Sequence, residues 1–445
     1  MTKKISGVLI LLFVVLSIKP MWSWAEERYS DLQNFSKILN LVQQYYVEPV
    51  DTKKLVNGAI KGMLRELDPH TNYMPPDIFK DFESETAGEF GGLGIEISIQ
   101  NGVLTIISPI EDTPAWKAGI KPGDKVIAID GNSTKGFSLV EASALLKGKR
   151  GEPVVLSVVR DNSDKALDIT IVRGQVKIKS VKSTTLDDGY LYVRVTSFIE
   201  TTSKELEKVL FDYKSSNKKM DGILIDLRKN PGGLLDQAIK VTDLFLKEGV
   251  IVSTIARDPK NKDVTYATKK ALYADVPIVI LINEYSASAS EIVAGALQDN
   301  KRAIIVGERS FGKGSVQSVI KLGDGGGLKL TVARYYTPSG VSIQAEGIKP
   351  DIEIEDVNAE LFAKALSEKK GVREQDITGH LIGDKEKKKT GKSKMDNSAA
   401  AWWKDVASKK DSDLTEKEKL FKTDYQAYQA YSYLRAIKTL SSLQR

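Results

Sequence analysis

Three short segments of the chain have residue types that can cleave an acyl bond. The first is a serine-rich turn, residues 284–291, which follows an apolar run at residues 277–283 and precedes an apolar helical pattern. A serine at such a strand-to-helix turn can act as a nucleophile, because the turn exposes a hydroxyl and the first helical amides can stabilise an oxyanion. The candidates are Ser286, Ser288 and Ser290. Helix capping is the alternative role for the same serines.

The second segment contains a candidate base for that serine. A serine hydroxyl needs a partner that accepts its proton. The chain has two histidines, His70 and His380, and neither lies near the serine-rich turn in the sequence. A lysine can serve instead, provided that burial lowers its pKa and leaves the amine neutral. Lys313, which stands between two glycines, is the predicted base, and Gln317 is predicted to orient its amine.

The glycines around Lys313 also imitate a phosphate-binding loop. Gly307 and the pair Gly312-Lys313 have the required spacing. However, position 314 is glycine where that motif has Ser or Thr, and residues 316–321 have a strand pattern where a helix should begin. The sequence therefore disfavours nucleotide binding.

The third segment, residues 226–233, is another strand-to-helix junction. Its Pro231-Gly232-Gly233 sequence can expose backbone amides, which could form half of an oxyanion hole. A helix-start turn without a chemical role is the alternative.

The apolar patterns divide the chain into regions of different secondary structure. Residues 29–67 have the spacing of two amphipathic helices, and a polar connection is predicted to follow as far as residue 89. Short strand patterns and one helix, at residues 139–146, occupy about residues 90–172. From residue 177 to residue 307 strand and helix patterns alternate, which predicts an α/β layer structure. A Lys-rich linker at residues 385–394 and a helix at residues 417–440 follow.

Composition limits the class of protein. A chain of 445 residues that is 41% hydrophobic and 28% charged predicts a soluble protein of two or three domains. Residues 1–25 combine basic, apolar and small-residue parts in the order of a secretory signal, with an uncleaved membrane anchor as the alternative. Removing them takes away three lysines and no acid, so the formal charge falls from +6 to +3, which argues against nucleic-acid binding. The absence of Cys excludes disulfides and cysteine nucleophiles.

Taken together, the motifs resemble those of the C-terminal processing (tail-specific) peptidases. The matching segments, in order, are residues 226–233, 283–299, 312–317 and 333–340. The resemblance implies that the middle serine, Ser288, is the nucleophile, that Lys313 is the base and that Gln317 is the orienting amide. The amides of Ala289 and of Gly232 or Gly233 would then hold the oxyanion.

The same resemblance identifies the small β-rich region as a PDZ domain. Its carboxylate-binding loop would be Gly92-Leu93-Gly94-Ile95, whose backbone amides would receive a terminal carboxylate. The implied fold is α+β and multidomain, with the PDZ module placed before a crotonase-like, ClpP-like α/β core and with helical segments at both ends. The predicted divisions are a signal peptide (1–25), a helical region (26–87), the PDZ domain (88–173), the serine peptidase domain (174–355) and a charged linker with a helical tail (356–445).

The resemblance implies a serine endopeptidase that captures polypeptide C-termini and cleaves near them by a Ser/Lys mechanism, without a metal or an organic cofactor. Its expected substrates are exported or periplasmic proteins with apolar, unstructured tails. We expect a periplasmic or exported location, with membrane association if residues 1–25 are retained. An adaptor protein and a homo-oligomer formed through the amphipathic segments 30–67 and 417–440 are further expected partners.

Two alternative functions belong to other classes. A catalytically silent PDZ scaffold would need neither Ser288 nor Lys313, so their joint presence argues against it. A crotonase-type enzyme acting on acyl-CoA would share the strand-to-helix oxyanion arrangement. The PDZ module and the serine-to-lysine spacing favour the peptidase.

Overall fold

The computed structural model describes residues 29–357, apart from 101, 111–112, 138, 161–162, 178, 218 and 270, together with 381, 402, 405–406 and 409–443. The predicted signal peptide, the Lys-rich linker and His380 lie outside the described residues. The chain forms two compact units. The first contains the described residues of Met1–Pro76 with Gln317–Thr331, and the second those of Asp77–Val316 with Val332–Arg445.

The first unit consists of two helices and an antiparallel ladder. Helix α1 covers residues 29–45. Helix α2, Thr52–Arg65, starts at Asp51, whose carboxylate accepts the N–H of Lys53 at 2.8 Å. Strand β1, Asn72–Met74, pairs antiparallel with residues 327–329. Apolar side chains of α2 and of residues 73, 322 and 328 line a cavity of about 730 Å³.

Helix α3, Pro76–Thr86, leads to the β-rich part of the second unit. Residues 68–89 were predicted as a polar, proline-containing connection, and the structure adds that this connection contains β1 and α3. Proline fits the first turn of a helix because the N–H that it lacks would have no helical partner there. The proline therefore starts this helix instead of interrupting it.

The β-rich part, up to residue 177, has its own apolar core. Its elements are β2 (Glu89–Gly92), β3 (Ile95–Gln100), β4 (Val103–Pro109), α4 (Pro114–Lys117), β5 (Lys125–Ile129), β6 (Asn132–Ser133), α5 (Leu139–Leu146), β7 (Pro153–Arg160), β8 (Ser163–Val172) and β9 (Gly174–Lys177). The main sheet has the order β3-β4-β5-β7-β8, and β2 pairs with β9. Ile106, Val126 and Leu156 are among the fully buried core residues.

The following region alternates strands and helices as the sequence predicts. Its elements are β10 (Val181–Asp187), β11 (Tyr190–Val195), α6 (Thr202–Asn217), β12 (Gly222–Asp226), α7 (Leu235–Asp243), β13 (Val250–Ala256), β14 (Lys262–Tyr266), β15 (Ile278–Ile282), α8 (Ala289–Asp299), β16 (Ile304–Gly307), β17 (Ser315–Lys321), β18 (Gly327–Tyr336) and β19 (Ile352–Glu353). The six-stranded sheet has the order β10-β11-β12-β15-β16-β19 and is parallel from β11 onward.

Both faces of this parallel sheet are buried. Alternate side chains of β12 and β15 point to opposite faces, so Ile223 and Ile280 enter one core while Leu224 and Val279 enter another. Residues of α6, α7 and α8 form the first core with the sheet. Residues of the C-terminal tail form the second.

The tail covers the second face with two helices, α9 (Glu416–Thr423) and α10 (Tyr425–Leu443), which replace the single helix predicted at residues 417–440. Helix α10 packs against β12 and β15. Phe421 and Leu434 are fully buried in the core that results. The apolar stripe of the tail is therefore covered by the protein's own sheet, which removes the reason for expecting a subunit interface there.

Among the described helices, none combines the length and apolar character needed to cross a membrane.

Candidate active site

The three motif segments meet at one edge of the parallel sheet. Residues 227–233 follow β12, residues 283–288 follow β15 and residues 308–313 follow β16. These strands are parallel neighbours in the sheet, so their carboxyl ends lie side by side. Open α/β sheets bind their ligands at this edge.

Ser288 lies at the start of α8 in an unusual backbone conformation. Its φ is +55° and its ψ is −111°, a combination that side-chain-bearing residues rarely adopt. The hydroxyls of the flanking serines bind backbone carbonyls, that of Ser286 to Leu227 at 2.8 Å and that of Ser290 to Asn230 at 3.0 Å. The two outer serines thus attach this turn to residues 227–230, while Ser288 occupies the strained position between them.

The Pro-Gly-Gly turn packs directly against Ser288. A Cβ atom on Gly232 would lie 2.8 Å from the Cβ of Ser288 and 2.9 Å from the backbone nitrogen of Ala289, and φ at Gly232 is +99°. A Cβ atom on Gly233 would lie 2.2 Å from the carbonyl oxygen of Phe198. No side chain fits at either position, so both glycines are required for this close approach.

Asn230 fixes the conformation of the same turn. Its side chain is fully buried, and its Oδ1 accepts the N–H of Gly232 at 2.9 Å. Its Nδ2 donates to the carbonyl of Val195 at 2.8 Å. The amide of Gly232 is therefore already engaged within the turn.

Lys313 is held in a loop whose glycines are required by close packing. A Cβ atom on Gly314 would lie 2.4 Å from the backbone nitrogen of Gln344, and Gly312 has a φ of +89°. The Gly314 N–H donates to Oε1 of Gln344 at 3.1 Å, and the Gly312 carbonyl accepts the N–H of Ala345 at 2.8 Å. These contacts, and not phosphate binding, account for the glycines on either side of the half-buried lysine.

One buried carboxylate connects the serine turn to the lysine loop. Oε2 of Glu291 accepts the backbone N–H of Ser288 at 2.7 Å and the backbone N–H of Lys313 at 2.9 Å. Its Oε1 accepts the Gly312 N–H and the Ser310 hydroxyl, both at 2.6 Å. The backbones of Ser288 and Lys313 therefore bind the same oxygen atom, and Glu291 fixes one turn relative to the other.

The environment of Glu291 affects its ionisation. Burial raises the pKa of its carboxyl above the ordinary glutamate value, although the four hydrogen bonds from Ser310, Gly312, Ser288 and Lys313 oppose part of this shift. The carboxyl therefore takes up a proton at a higher pH than an exposed glutamate would. A protonated carboxyl has less acceptor capacity for four donors, so acidification should loosen this connection.

The remaining predicted residues lie in other parts of the fold. Gln317 is in β17 and belongs to the first unit, as does His70, so the predicted role of Gln317 stays a prediction. Gly92 ends β2, Ile95 begins β3, and Leu93 and Gly94 link the two strands, while the carboxylate-binding role of this segment stays a prediction. Among the described residues there is no cluster of three or more His, Asp or Glu that could hold a metal ion.

The sequence analysis did not identify several residues that shape this site. They are Asn230, Glu291, Ser310 and Gln344. A signal existed only for Glu291, because a serine followed three residues later by glutamate at a helix start is the pattern of a capping box. The others act through contacts between distant segments.

The matches to sequence families cover most of the chain. Residues 189–354 match the profile of peptidase family S41, residues 91–171 match the PDZ domain and residues 18–77 match the N-terminal domain of the activating protease CtpB. A carboxy-terminal-processing protease of Bartonella bacilliformis is 46% identical over 391 residues, which span 86% of this chain and 88% of the relative. The chain belongs to the carboxy-terminal processing protease family.

Other members of the carboxy-terminal processing protease family are also similar. The carboxy-terminal processing protease CtpA of Bacillus subtilis is 37% identical over 327 residues, or 73% of this chain and 69% of that protein. The solved structure of the photosystem II D1 C-terminal processing protease is 30% identical, with a TM-score of 0.45, and the match covers 72% of this chain and 92% of that one. The predicted family, the α+β multidomain fold with its PDZ domain and the serine-type peptidase activity are confirmed. The scaffold and acyl-CoA alternatives are thereby set aside.

The connection through Glu291 generates a first prediction. Replacing Glu291 with Gln should lower kcat by about 100-fold or more, because an amide NH₂ would replace one of the two acceptor oxygens and misplace Ser288 relative to Lys313. Initial rates on a short peptide would measure the loss, and circular dichroism would report whether the variant is folded. Glu248→Gln removes an exposed carboxylate that lies after α7, outside the serine turn and the lysine loop, and is the control. Equal activity of the two variants would contradict the role assigned to Glu291.

Proposed function

We propose that this protein is an exported peptidase that captures polypeptide C-termini through its PDZ domain and cleaves near them, with Ser288 as nucleophile and Lys313 as base. The observation that carries the proposal is the shared acceptor oxygen of Glu291, which brings the backbones of these two residues together. The strained conformation of Ser288 and the close approach of Gly232 support it. The signal-like sequence of residues 1–25 supports export to the periplasm or beyond.

In the proposed mechanism, a neutral Lys313 amine removes the proton from the Ser288 hydroxyl, and the oxygen attacks the scissile carbonyl. Lys313 then gives the proton to the leaving amine, and water hydrolyses the acyl-enzyme by the same proton transfers in reverse. Gln317 would orient the lysine amine. The protein's own groups account for every step, so the mechanism needs no cofactor.

Two backbone amides are the best candidates for the oxyanion hole. Ala289 is the first residue of α8, and the N–H groups of a first helical turn have no partner within the helix. Two backbone hydrogen bonds join Phe198 to the Pro-Gly-Gly turn: the carbonyl of Gly232 accepts the N–H of Phe198, and the N–H of Leu234 donates to the carbonyl of Phe198. Neither of them uses the N–H of Gly233. Because the Gly232 N–H donates to Asn230, we favour Gly233 over Gly232 as the second donor.

The backbone orientation of the PDZ loop supports the proposal that it receives a carboxylate. The carbonyl of Leu93 accepts the N–H of Ala115, and the carbonyl of Gly94 accepts the N–H of Ile110, both at 2.8 Å. In a trans peptide the N–H points away from the preceding carbonyl. The amides of Gly94 and Ile95 are therefore directed away from residues 110–115. A peptide terminus could bind these amides while its chain pairs with β3.

Two exposed aromatic side chains support a preference for apolar tails. Tyr285 lies on the turn that carries Ser288 and is 58% exposed. Phe311 lies on the loop that carries Lys313 and is 60% exposed. The N–H of Phe311 donates to the Ser286 carbonyl at 3.0 Å, so the two turns present their aromatic residues from adjacent backbone. A substrate side chain that contacted them would gain apolar burial.

Two partners other than the substrate are proposed, a second copy of this chain and an adaptor protein. Leu32, Phe35, Ile38 and Leu41 on α1 are exposed, which supports a homo-oligomer interface at this helix. An adaptor protein remains a prediction from the family resemblance.

Replacing Ser288 with Ala should abolish proteolysis without unfolding the protein, because the side chain is small and the backbone contacts to Glu291 remain. The protein without residues 1–25 would be incubated with periplasmic extract, and mass spectrometry would identify new C-termini. Ser286→Ala and Ser290→Ala are the controls and should keep partial activity, since their hydroxyls bind backbone groups of the neighbouring turns and neither is the proposed nucleophile. Full activity of Ser288→Ala would refute the assignment.

The pH dependence of kcat/KM should identify the base. A lysine amine becomes neutral only as the pH rises above neutrality, so activity should increase on the alkaline side, whereas a histidine base would give a rise near pH ~6.5. Lys313→Arg should be inactive because arginine keeps its proton, and His70→Ala should leave the profile unchanged. Profiles from about pH 5 to 10 on a peptide without nearby ionisable groups would measure this. An inflection near pH ~6.5 that disappears in His70→Ala would overturn the mechanism.

Capture by the PDZ domain should depend on the terminal carboxylate. A folded test protein with an apolar tail should be cleaved more slowly when the same tail ends in an amide, because the amide lacks the charge that the loop amides bind. A short peptide should be much less sensitive to this change, since it can reach Ser288 without capture. Deletion of residues 88–173 should remove the difference between the two tails. Equal cleavage of both tails by the intact protein would argue against carboxylate capture.

A further inference from the structure

The tail of the chain changes direction at Asp424, beside the carboxyl ends of the parallel strands. Asp424 separates α9 from α10 in an extended conformation, with φ −129° and ψ 91°. Its Oδ1 accepts the N–H of Ala427 at 2.9 Å and so caps α10. The profile of the peptidase family ends at residue 354, so this segment lies beyond the part that the family profile describes.

Asp424 binds the side chain of Arg228, which follows β12. The Nε and Nη2 of Arg228 donate to Oδ1 and Oδ2 of Asp226 at 3.0 and 2.7 Å. Its Nη1 and Nη2 donate to Oδ1 and Oδ2 of Asp424 at 2.9 and 2.5 Å. A further Nη1 hydrogen bond, also at 2.9 Å, goes to Oε1 of Gln426. All five N–H groups of the guanidinium thus have acceptors, and the tail supplies three of the five.

This ion pair network is largely removed from water. The side chain of Asp226 is fully buried, and those of Arg228 and Asp424 are 11% and 20% exposed. Burial opposes the charge of Arg228, but the two carboxylates outweigh it and raise the pKa of the guanidinium overall. A buried arginine that loses one carboxylate keeps its charge and must find another partner or move.

Movement of Arg228 would affect the turn that faces Ser288. The backbone N–H of Arg228 donates to Oδ1 of Asp226 at 2.9 Å. The next residue, Lys229, has a φ of +58°, and its N–H donates to Oδ1 of Asn283 at 3.0 Å. Asn230 follows and holds the N–H of Gly232. A short, strained segment therefore connects Arg228 to the Pro-Gly-Gly turn.

A second contact joins the tail to the lysine loop. Nε2 of Gln426 donates to the carbonyl of Ile354 at 2.7 Å and to Oε1 of Glu308 at 3.3 Å. Glu308 follows β16 directly and begins the loop that leads to Lys313. Asp424 and Gln426, at the junction of α9 and α10, thus contact the first residues of two of the three site segments, the one after β12 and the one after β16.

We propose that Asp424 and Gln426 are positioning residues for catalysis, which hold the Pro-Gly-Gly turn through Arg228 and the lysine loop through Glu308. The proposal rests on the peptidase mechanism above, because it assigns the tail the task of placing the Gly233 amide against the oxyanion. The tail is then part of the catalytic apparatus as well as a cover for the sheet.

The test compares two contacts of the tail at opposite ends of one strand. Asp424→Asn keeps the shape and the helix cap but removes the charge beside Arg228, at the carboxyl end of β12. Lys438→Met removes the ion pair between α10 and Asp221, which lies just before the amino end of β12. Gln426→Met is a second variant that keeps the charge network and tests the contact to Glu308.

For Asp424→Asn we expect kcat on a short peptide to fall between about 10- and 100-fold with little change in KM. Lys438→Met should stay within about twofold of wild type. Gln426→Met should lose kcat in the same direction but less. A peptide aldehyde, whose adduct places an oxygen in the oxyanion hole, should bind Asp424→Asn more weakly by a factor similar to the loss of kcat, while the matching peptide alcohol should bind as before.

The possible outcomes separate the two proposals. Wild-type kcat in both Asp424→Asn and Gln426→Met would overturn the positioning role. Equal losses of kcat in Asp424→Asn and Lys438→Met would also overturn it if both losses matched the decrease in folded protein measured by circular dichroism. The tail would then only stabilise the fold. If Asp424→Asn does not fold, Gln426→Met and its aldehyde affinity decide the question. Wild-type activity that persists in Ser288→Ala would instead refute the proposed function, and the positioning role with it.

Discussion

The Glu291 carboxylate and its four donors determine how the serine turn and the lysine loop are arranged. Backbone hydrogen bonds between β15 and β16 fix the positions of the strand ends, but they do not fix the turns that follow. A single buried carboxyl group with two acceptor oxygens can bind amides from both turns. The glycines beside Lys313 and the left-handed backbone of Ser288 are the local conformations that permit these amides to reach one acceptor.

The parallel sheet explains why the chemistry lies at one edge. Its central strands are apolar on both faces, with Ile225 and Ile280 in one core and Leu224 and Leu281 in the other. Polar groups are expensive to bury inside such a layer and appear where the strands end. Asp226 and Asn283 occupy these end positions, and both accept N–H groups from the turn that follows β12, Asp226 from Arg228 and Asn283 from Lys229. The same change from apolar strand to polar turn produces both the structural network and the site.

The sequence predicts the elements whose pattern is local and uniform. Helix α5 was predicted with the bounds that it has in the structure, and the apolar run at residues 277–283 contains β15, Ile278–Ile282. Strand β10 was missed because Val181–Asp187 is mostly polar and gains its stability from the neighbouring β11. The break at Asp424 was missed because the helical pattern continues across it, and only the distant Arg228 explains the change. Within the site, residue type suggested three candidate serines and Lys313, and the family resemblance selected Ser288 among the serines. Asn230 and Gln344 act through contacts between segments that the sequence does not show to be neighbours.

The late position of the tail in the chain has a consequence for biogenesis. The sheet has all its strands at residue 353, but α9 and α10, which cover its second face, begin only at residue 416. A chain that emerges from its N-terminus therefore passes through a stage at which Leu224, Val279 and Leu281 lie on an uncovered apolar surface. During this stage Arg228 also lacks the carboxylate of Asp424. A chain that lacks the tail would therefore expose this apolar surface, and Arg228 would lose three of its five hydrogen-bond acceptors.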